Sequence, residues 1–225
     1  MKPSVLIAES TTPDGAKLTL RLHDGHYQMR VDGHGLMSTT ETRSEAELAE
    51  RGCEKLAATG QQRLLIGGLG FGFTLRRVLE LVSTNVKVQV AELLPAVVAW
   101  NREHLQSYNG ALVDDARVQI IVDDACAVLA AAPPGTYDAV LLDIDNGPFA
   151  LVDPGNAQLY AATGLRHLAR ALRRGGRAVF WSAVPDRAFM HRLTAAGFRA
   201  TACGAKAYAQ AKRTTRTLII ADRPE

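Results

Sequence analysis

Cysteine is scarce in this chain of 225 residues, and its spacing excludes two common uses of the residue. Cys53, Cys126 and Cys203 lie far apart and form no C-x-x-C pair. They also make no zinc-ligand set with the six histidines, so neither a disulfide framework nor a bound metal is expected. A reduced cytoplasmic location is the default for such a sequence.

Long apolar runs and dense basic clusters are missing as well. The apolar run at residues 5–8 is too short for the hydrophobic part of a signal peptide, and no stretch has the length of a membrane span. The net charge is +3, but the basic residues are scattered along the chain. The sequence therefore favours neither a membrane nor a nucleic acid as its partner.

A glycine-rich turn is the feature around which the rest of the chain is organised. Gly68, Gly70 and Gly72 follow Gly67 in a G-x-G-x-G pattern, between a short apolar run and a helical pattern. Strand, glycine turn and helix together form the nucleotide crevice of open α/β sheets. Phe73 stands where a dinucleotide fingerprint needs its third glycine, which argues against a nicotinamide dehydrogenase.

The first part of the chain has the pattern of a small β-meander, which we expect to form a domain of its own over residues 1–43. Apolar and polar residues alternate there in short segments. Asp-Gly pairs at 24–25 and 32–33 separate these segments, and Asp-Gly is a strong signal for a tight hairpin turn.

The remainder, residues 44–225, is predicted to form an α/β domain. Ser44 and Glu47 fit a capping box and indicate that a helix begins there. Strands and helices then alternate, which predicts a Rossmann-like, mostly parallel sheet. A helix at 157–172 is expected to end at Gly175-Gly176. The predicted strands lie at 64–66, 86–91, 117–122, 137–142 and 178–181, with a C-terminal antiparallel hairpin at 198–203 and 215–221.

Acidic residues follow three successive strands of this predicted sheet. Glu92 comes after the second strand, Asp123 and Asp124 after the third, and Asp143 and Asp145 after the fourth. The carboxyl ends of parallel strands meet at one edge, where open α/β sheets bind ligands. The alternative is that an aspartate after the third strand only caps the next helix. Acidic residues directly after three successive strands nevertheless favour a ligand site.

These carboxylates fit an adenosyl sulfonium as the group donor. Glu92 can accept hydrogen bonds from both ribose hydroxyls, and Asp124 can accept one from the adenine amino group. Asp143 and Asp145 would face an amine acceptor, whose nitrogen must lose a proton when it is alkylated. The sulfonium is already an activated leaving group, so the protein has only to align and desolvate the reactants.

Several segments of the sequence resemble the spermidine synthase family. They are residues 67–75, 90–92, 114–118, 123–124, 137–143, 147–148 and 159–160. The resemblance implies the class I S-adenosylmethionine methyltransferase fold behind a small N-terminal β-domain, and a homodimer. It implies S-adenosylmethionine or its decarboxylated form as the donor. It also implies Glu92 on the ribose, Asp124 at the adenine and Asp143 as the catalytic acid/base.

The part of the predicted site that would hold the acceptor departs from that family. The family's glycine loop carries an aspartate for the aminopropyl amine, whereas residues 69–71 contain no acid. Asn146 replaces the family's second catalytic aspartate, and an acid falls at Asp145 instead. Glu45 stands roughly where the family has a tyrosine that grips the polyamine. The weaker candidates for substrate contact are Glu45, Asn146, Tyr160 and Trp181.

The sequence therefore predicts a transferase that moves an aminopropyl or methyl group from an adenosyl sulfonium to a small amine. The missing loop aspartate favours intact S-adenosylmethionine as the donor. One alternative is a methyltransferase that acts on another small molecule or on RNA, the latter suggested by basic residues near the C-terminus. A second alternative, suggested by Asn146, is an adenosyl-binding protein without catalytic activity.

Overall fold

The computed structural model describes residues 3–57, 60–144 and 158–225. The N-terminal part is a four-stranded antiparallel sheet in the order β1-β2-β3-β4. Asp24 and Asp32 have φ angles of 49° and 46°, and the glycine after each has a φ of 80°. Two consecutive residues with positive φ make the tight turns of two-residue hairpins, so the predicted meander is confirmed. Its strands are β1 (Val5–Thr11), β2 (Lys17–His23), β3 (His26–Val31) and β4 (His34–Ser38).

Helix α1 (Arg43–Cys53) follows the meander, but the predicted capping box does not form. The N-cap is Thr42, and its side chain makes no capping hydrogen bond. Ser44 is already inside the helix and buried, and its hydroxyl donates to Glu45 Oε2 at 2.7 Å. The sequence spacing was misleading because this serine binds a neighbouring carboxylate rather than the helix terminus.

The second sheet has seven strands in the order β10-β11-β9-β8-β5-β6-β7. Strand β11 runs antiparallel to both of its neighbours, and the other pairings are parallel. This is the predicted mostly parallel sheet with a C-terminal antiparallel hairpin. Its strands are β5 (Gln62–Gly67), β6 (Val86–Ala91), β7 (Val118–Ile121), β8 (Tyr137–Leu142), β9 (Leu172–Ser182), β10 (Arg199–Ala205) and β11 (Arg216–Asp222). Its helices are α2 (Phe73–Leu81), α3 (Pro95–Glu103), α4 (Gln106–Asn109), α5 (Ala125–Ala131), α6 (Ala162–Ala171) and α7 (Arg187–Ala195), with a 3-10 turn at Leu112–Asp114.

Strand β5 lies inside the sheet, between β8 and β6, and is covered on both faces. Leu64, Leu65 and Ile66 are each 0% exposed. Because successive side chains of a strand point to opposite faces, Leu64 and Ile66 pack in one hydrophobic cluster and Leu65 in the other. The first cluster also contains Leu18 and Leu20 of β2. The meander is therefore packed against the main sheet, and the division into domains at residue 43 stays a prediction.

The region around Gly175 and Gly176 differs from the prediction. The helix before it is α6, which ends at Ala171, and strand β9 begins at the next residue. Both glycines lie inside β9, where the register against β8 shifts. Gly175 has a φ of 71°, and a Cβ on Gly176 would lie 2.9 Å from the carbonyl oxygen of Asp138. These glycines permit an irregular start of a strand rather than ending a helix.

Candidate active site

Three loops at the carboxyl ends of the central strands are hydrogen-bonded to one another. The N–H of Gly68, after β5, donates to the carbonyl of Ala91 at 2.8 Å. The N–H of Asp143, after β8, donates to the carbonyl of Gly67 at 2.9 Å. The N–H of Glu92, after β6, donates to the carbonyl of Ile121 at 3.0 Å. The pairing of the sheet thus extends one residue beyond the strands and fixes where these loops begin.

The glycine turn is confined by the groups that surround it. Gly68, Gly70 and Gly72 have φ angles of 89°, 51° and 80°. Residues other than glycine rarely adopt such backbone conformations. A Cβ on Gly68 would lie 2.3 Å from the carbonyl oxygen of Asp143. Only glycine therefore lets the first turn of this loop approach the loop that carries the proposed catalytic aspartate.

Two asparagines hold the glycine turn, and neither was identified from the sequence. Asn101 Nδ2 donates to the carbonyl of Gly70 at 2.8 Å, from the next helix α3. The side-chain amide of Asn109 donates to the carbonyl of Phe71. Both asparagines are buried. Their signal in the sequence is weak, because a buried asparagine is recognisable only once the tertiary structure is known.

Glu92 is buried at the end of β6, with an exposed fraction of 6%. Its Oε2 accepts the N–H of Leu69 at 2.8 Å, and its Oε1 accepts the N–H of Leu94 at 2.8 Å. A carboxylate oxygen has two lone pairs and is a good acceptor for hydroxyl groups. The carboxylate is thereby fixed against the glycine turn and also lines the cavity.

Asp143 lies directly after β8 and is half-buried. Its Oδ2 accepts the hydroxyl of Thr74, in the first turn of α2, at 2.8 Å. Burial raises the pKa of Asp143 to about 6, and the hydrogen bond from Thr74 opposes that rise. The sequence analysis missed Thr74 because a threonine at a helix start is common for purely structural reasons.

Glu45, from α1, brings a second carboxylate to the same cavity. Burial raises the pKa of Glu45 to about 7, and the negative charge of Asp143 raises it further in the same direction. The hydrogen bond from the Ser44 hydroxyl opposes both effects. Two carboxylates that repel each other in a partly dry cavity retain protons more readily than they would in water.

The two aspartates after β7 occupy different environments. Asp124 is the N-cap of α5, where its side chain accepts the N–H of Cys126 at 3.0 Å, and it also lines the cavity. The ligand and cap interpretations are thus compatible for this residue. Asp123 is exposed and accepts the N–H of Asp124 at 2.8 Å. It does not line the cavity, because the turn that caps α5 directs it to the surface.

The cavity formed by these loops has about 880 Å³ of empty space, including its mouth. Gly68, Gly70, Glu92 and Asp124 line this cavity together with Glu45. Its lining also includes the mainly apolar side chains of Met29, Leu36, Met37, Ile144 and Trp181.

Other predicted residues lie elsewhere. Tyr160 is 3% exposed and packs against Phe180 and Phe189, with ring centroids 6.0 Å and 5.1 Å away. Its hydroxyl donates to the carbonyl of Ile144 at 3.4 Å, so it supports the loop after β8 rather than lining the cavity. Gly67 and Gly72 belong to the glycine turn without lining the cavity. Asp145 and Asn146 lie outside the described residues.

Neither a metal site nor a membrane span is found in the part of the chain that the structure describes. No three His, Cys, Asp or Glu side chains there are grouped so that they could hold a metal ion. Within the same ranges, no helix is both long and apolar enough to cross a membrane.

The strand order and the acidic cavity define an α/β protein of the class I methyltransferase type. The sequence model of the spermine/spermidine synthase domain matches residues 53–194. The chain therefore belongs to the spermine/spermidine synthase family.

Individual relatives agree with this assignment. The polyamine aminopropyltransferase of Mycobacterium tuberculosis is 33% identical over 146 residues, which are 64% of this chain and 27% of that protein. Putrescine N-methyltransferase 1 of Nicotiana tabacum is 34% identical over 113 residues, which are 50% of this chain and 28% of that protein. The alignments thus span little more than a quarter of the length of these two relatives.

Solved structures show the same fold. The crystal structure of spermidine synthase from Thermotoga maritima superposes with a TM-score of 0.74 at 18% identity, covering 97% of this chain and 73% of that one. A spermidine synthase in complex with the transition state analogue AdoDATO gives a TM-score of 0.77 at 18% identity, covering 97% and 74%.

Proposed function

We propose that this chain transfers an alkyl group from an adenosyl sulfonium to the nitrogen of a small amine. The observation that carries the proposal is one cavity that is lined by the glycine turn, Glu92 and Asp124 and also by Asp143 and Glu45. The family supports the same reaction class, since the relatives include a polyamine aminopropyltransferase and a putrescine N-methyltransferase.

The residues of the cavity fit the adenosyl part of such a donor. Glu92, held in place by two main-chain N–H groups, is a charged acceptor suited to the ribose hydroxyls. Asp124 is an acceptor suited to the adenine amino group. Glycine at position 68 lets the turn pack closely against the loop that carries Asp143, because a Cβ there would lie 2.3 Å from the carbonyl oxygen of Asp143.

Asp143 is the proposed proton acceptor. The nitrogen lone pair of the amine forms a bond to the carbon attached to sulfur, and the C–S bond breaks, leaving its electron pair on sulfur. The sulfonium thus supplies an activated carbon and departs as a neutral thioether. The proton that the nitrogen gives up passes to a carboxylate, and a pKa near 6 keeps Asp143 mostly ionised at neutral pH.

Two reactions of this class are candidates. The first is aminopropyl transfer from the decarboxylated donor, and the second is methyl transfer from intact S-adenosylmethionine. Leu69 and Gly70 place no acid in the glycine turn, where an aspartate would attract the aminopropyl amine and repel a donor carboxylate. A Cβ on Gly70 would lie 2.8 Å from Met37 Cε, so an apolar side chain covers this part of the turn.

The two donors yield different products, which makes the test direct. Purified chain is incubated with putrescine and either donor, and the thioether products are separated by chromatography. Methylthioadenosine indicates aminopropyl transfer, and S-adenosylhomocysteine indicates methyl transfer. Loss of either product in Asp143→Asn supports the proposal. A donor that binds without any product from several amines would favour the non-catalytic alternative, and alkylated tRNA would favour the RNA alternative.

A further inference from the structure

We propose that Glu45 is a second amine-binding carboxylate, which holds the acceptor's ammonium group together with Asp143 and releases a proton when the amine binds. This inference rests on the proposed function and adds a specificity-determining residue to it. Helix α1 brings the carboxylate of Glu45 to the same cavity that Asp143 lines.

The geometry of the pair is set by hydroxyl groups. Glu45 Oε2 accepts the hydroxyl of Ser44 at 2.7 Å, and Asp143 Oδ2 accepts the hydroxyl of Thr74 at 2.8 Å. One oxygen of each carboxylate is thus anchored by an element of the scaffold, α1 in one case and α2 in the other. An ammonium group has three N–H donors and no acceptor, so it suits a site made of carboxylate oxygens.

The surrounding charges have one sign. Glu92 and Asp124 line the cavity beside the pair, and no Lys, Arg or His is among the described residues that line it. Glu41 also raises the pKa of Glu45 through its charge, after burial and Asp143. The nearest cation in this region, Arg216, pairs with Glu41 at 2.8 Å. A cationic ligand is therefore favoured, and an anionic one is excluded by repulsion.

Much of the remaining cavity lining is apolar, and this limits what the rest of the acceptor can be. Met29, Leu36, Met37 and Trp181 belong to that lining. Such side chains accommodate a carbon chain and reduce the access of water, which strengthens the attraction between an ammonium and a carboxylate. The lining therefore favours an amine carried by an aliphatic group.

The same arrangement predicts that binding is linked to a proton. With no amine bound, burial and the charge of Asp143 raise the pKa of Glu45 to about 7, and burial raises the pKa of Asp143 to about 6. The pair therefore retains a proton in mildly acidic solution. An ammonium placed between them stabilises both ionised forms. The retained proton then leaves to solvent, and the ionised pair is ready to receive the proton that the nitrogen loses on alkylation.

Calorimetry with putrescine at pH 6.5, in two buffers of different ionisation enthalpy, tests the inference. Wild-type protein should release a fraction of a proton on binding, and Glu45→Gln should release less than half as much. Glu45→Gln should also raise the KM for putrescine by about tenfold or more, while kcat changes less than about threefold. Glu47→Gln is the matched control, because Glu47 lies on the same helix but pairs with Arg43 at 3.0 Å. It should match the wild type in both measurements.

The outcomes separate this inference from the proposed function. If Glu45→Gln keeps the wild-type KM and proton release, or if putrescine fails to bind a chain that binds the donor, Glu45 is not an amine site and the inference is overturned. If neither sulfonium binds the wild-type chain, the proposed function itself fails. Equal changes in Glu45→Gln and Glu47→Gln would show a general effect on α1 and would also overturn the inference.

Discussion

Replacing Glu92 with glutamine should weaken both the fold and donor binding, because this carboxylate serves both. Each of its oxygens accepts a main-chain N–H, from Leu69 and Leu94, at 2.8 Å. Glutamine keeps the shape of the side chain but has a single acceptor oxygen. Its amide nitrogen would therefore face one of these N–H groups, donor against donor, in a site that is 6% exposed.

The magnitude follows from the bond that is lost. A buried hydrogen bond to a charged group contributes about 1.5–3 kcal/mol, and an unsatisfied buried donor costs a similar amount. For a chain of this size, 1 kcal/mol corresponds to a change of about 2–4 °C in Tm. We expect Glu92→Gln to lower Tm by about 4–10 °C. We also expect it to weaken donor binding by about tenfold or more, because a charged acceptor for the ribose hydroxyls is removed.

Thermal unfolding and calorimetric titration with S-adenosylmethionine and its decarboxylated form measure the two effects. Glu103→Gln is the control, because Glu103 ends the neighbouring helix α3 and its side chain is 66% exposed. It removes the same charge without touching the cavity. If Glu92→Gln unfolds with the wild-type Tm and binds the donors equally well, the role assigned to Glu92 is refuted.

Three further predictions concern the loop and the carboxylate pair. Asp143→Asn should lower kcat by about 10²–10⁴-fold while donor affinity changes little, as shown by steady-state kinetics beside calorimetry. In the wild type, kcat/KM should rise with pH through about 6 as Asp143 of the free protein ionises. Glu45→Gln should be more stable than the wild type above pH 7, by about 1–3 kcal/mol, and should lose this advantage below pH 5. The direction of this stability difference follows from the pKa of Glu45, which the folded state raises to about 7, so that the wild type loses stability as rising pH ionises the group. Urea titrations at pH 5 and pH 8 measure the difference. Gly68→Ala should lower Tm and abolish donor binding, because the added Cβ would lie 2.3 Å from the carbonyl oxygen of Asp143. Gly25→Ala is the control: it lies in a hairpin with open space around the added Cβ and should leave donor binding intact.

The overall fold could be predicted from the sequence because its signals are local. The strands Val86–Ala91 and Tyr137–Leu142 and the helix Ala125–Ala131 have the limits that the apolar pattern indicated. Glycine turns and Asp-Gly pairs marked the connections between elements. The errors at Ser44 and at Gly175-Gly176 arose where the residues make a different contact from the expected one. Ser44 binds the carboxylate of the adjacent Glu45, and the two glycines lie inside a strand beside its neighbour.

Only part of the candidate site could be predicted from the sequence, namely the residues that directly follow strands. Glu92 and Asp143 follow parallel strands, so the topology alone brings their main chains to the same edge. Thr74, Asn101 and Asn109 could not be identified, since their partners lie on other elements and depend on how the helices pack. The sequence gives no distances and no burial, and so the burial that raises the pKa values of Glu45 and Asp143 became visible only in three dimensions. The homodimer, the cytoplasmic location and the identity of the amine stay predictions.

A crystal structure of the chain with its bound sulfonium donor would test the central claim most directly. The account predicts the ribose hydroxyls within about 3 Å of the Glu92 carboxylate oxygens, and the adenine amino group at a similar distance from Asp124. The activated carbon should face Asp143. A donor bound outside this cavity, or bound inside it with its ribose turned away from Glu92, would contradict the account.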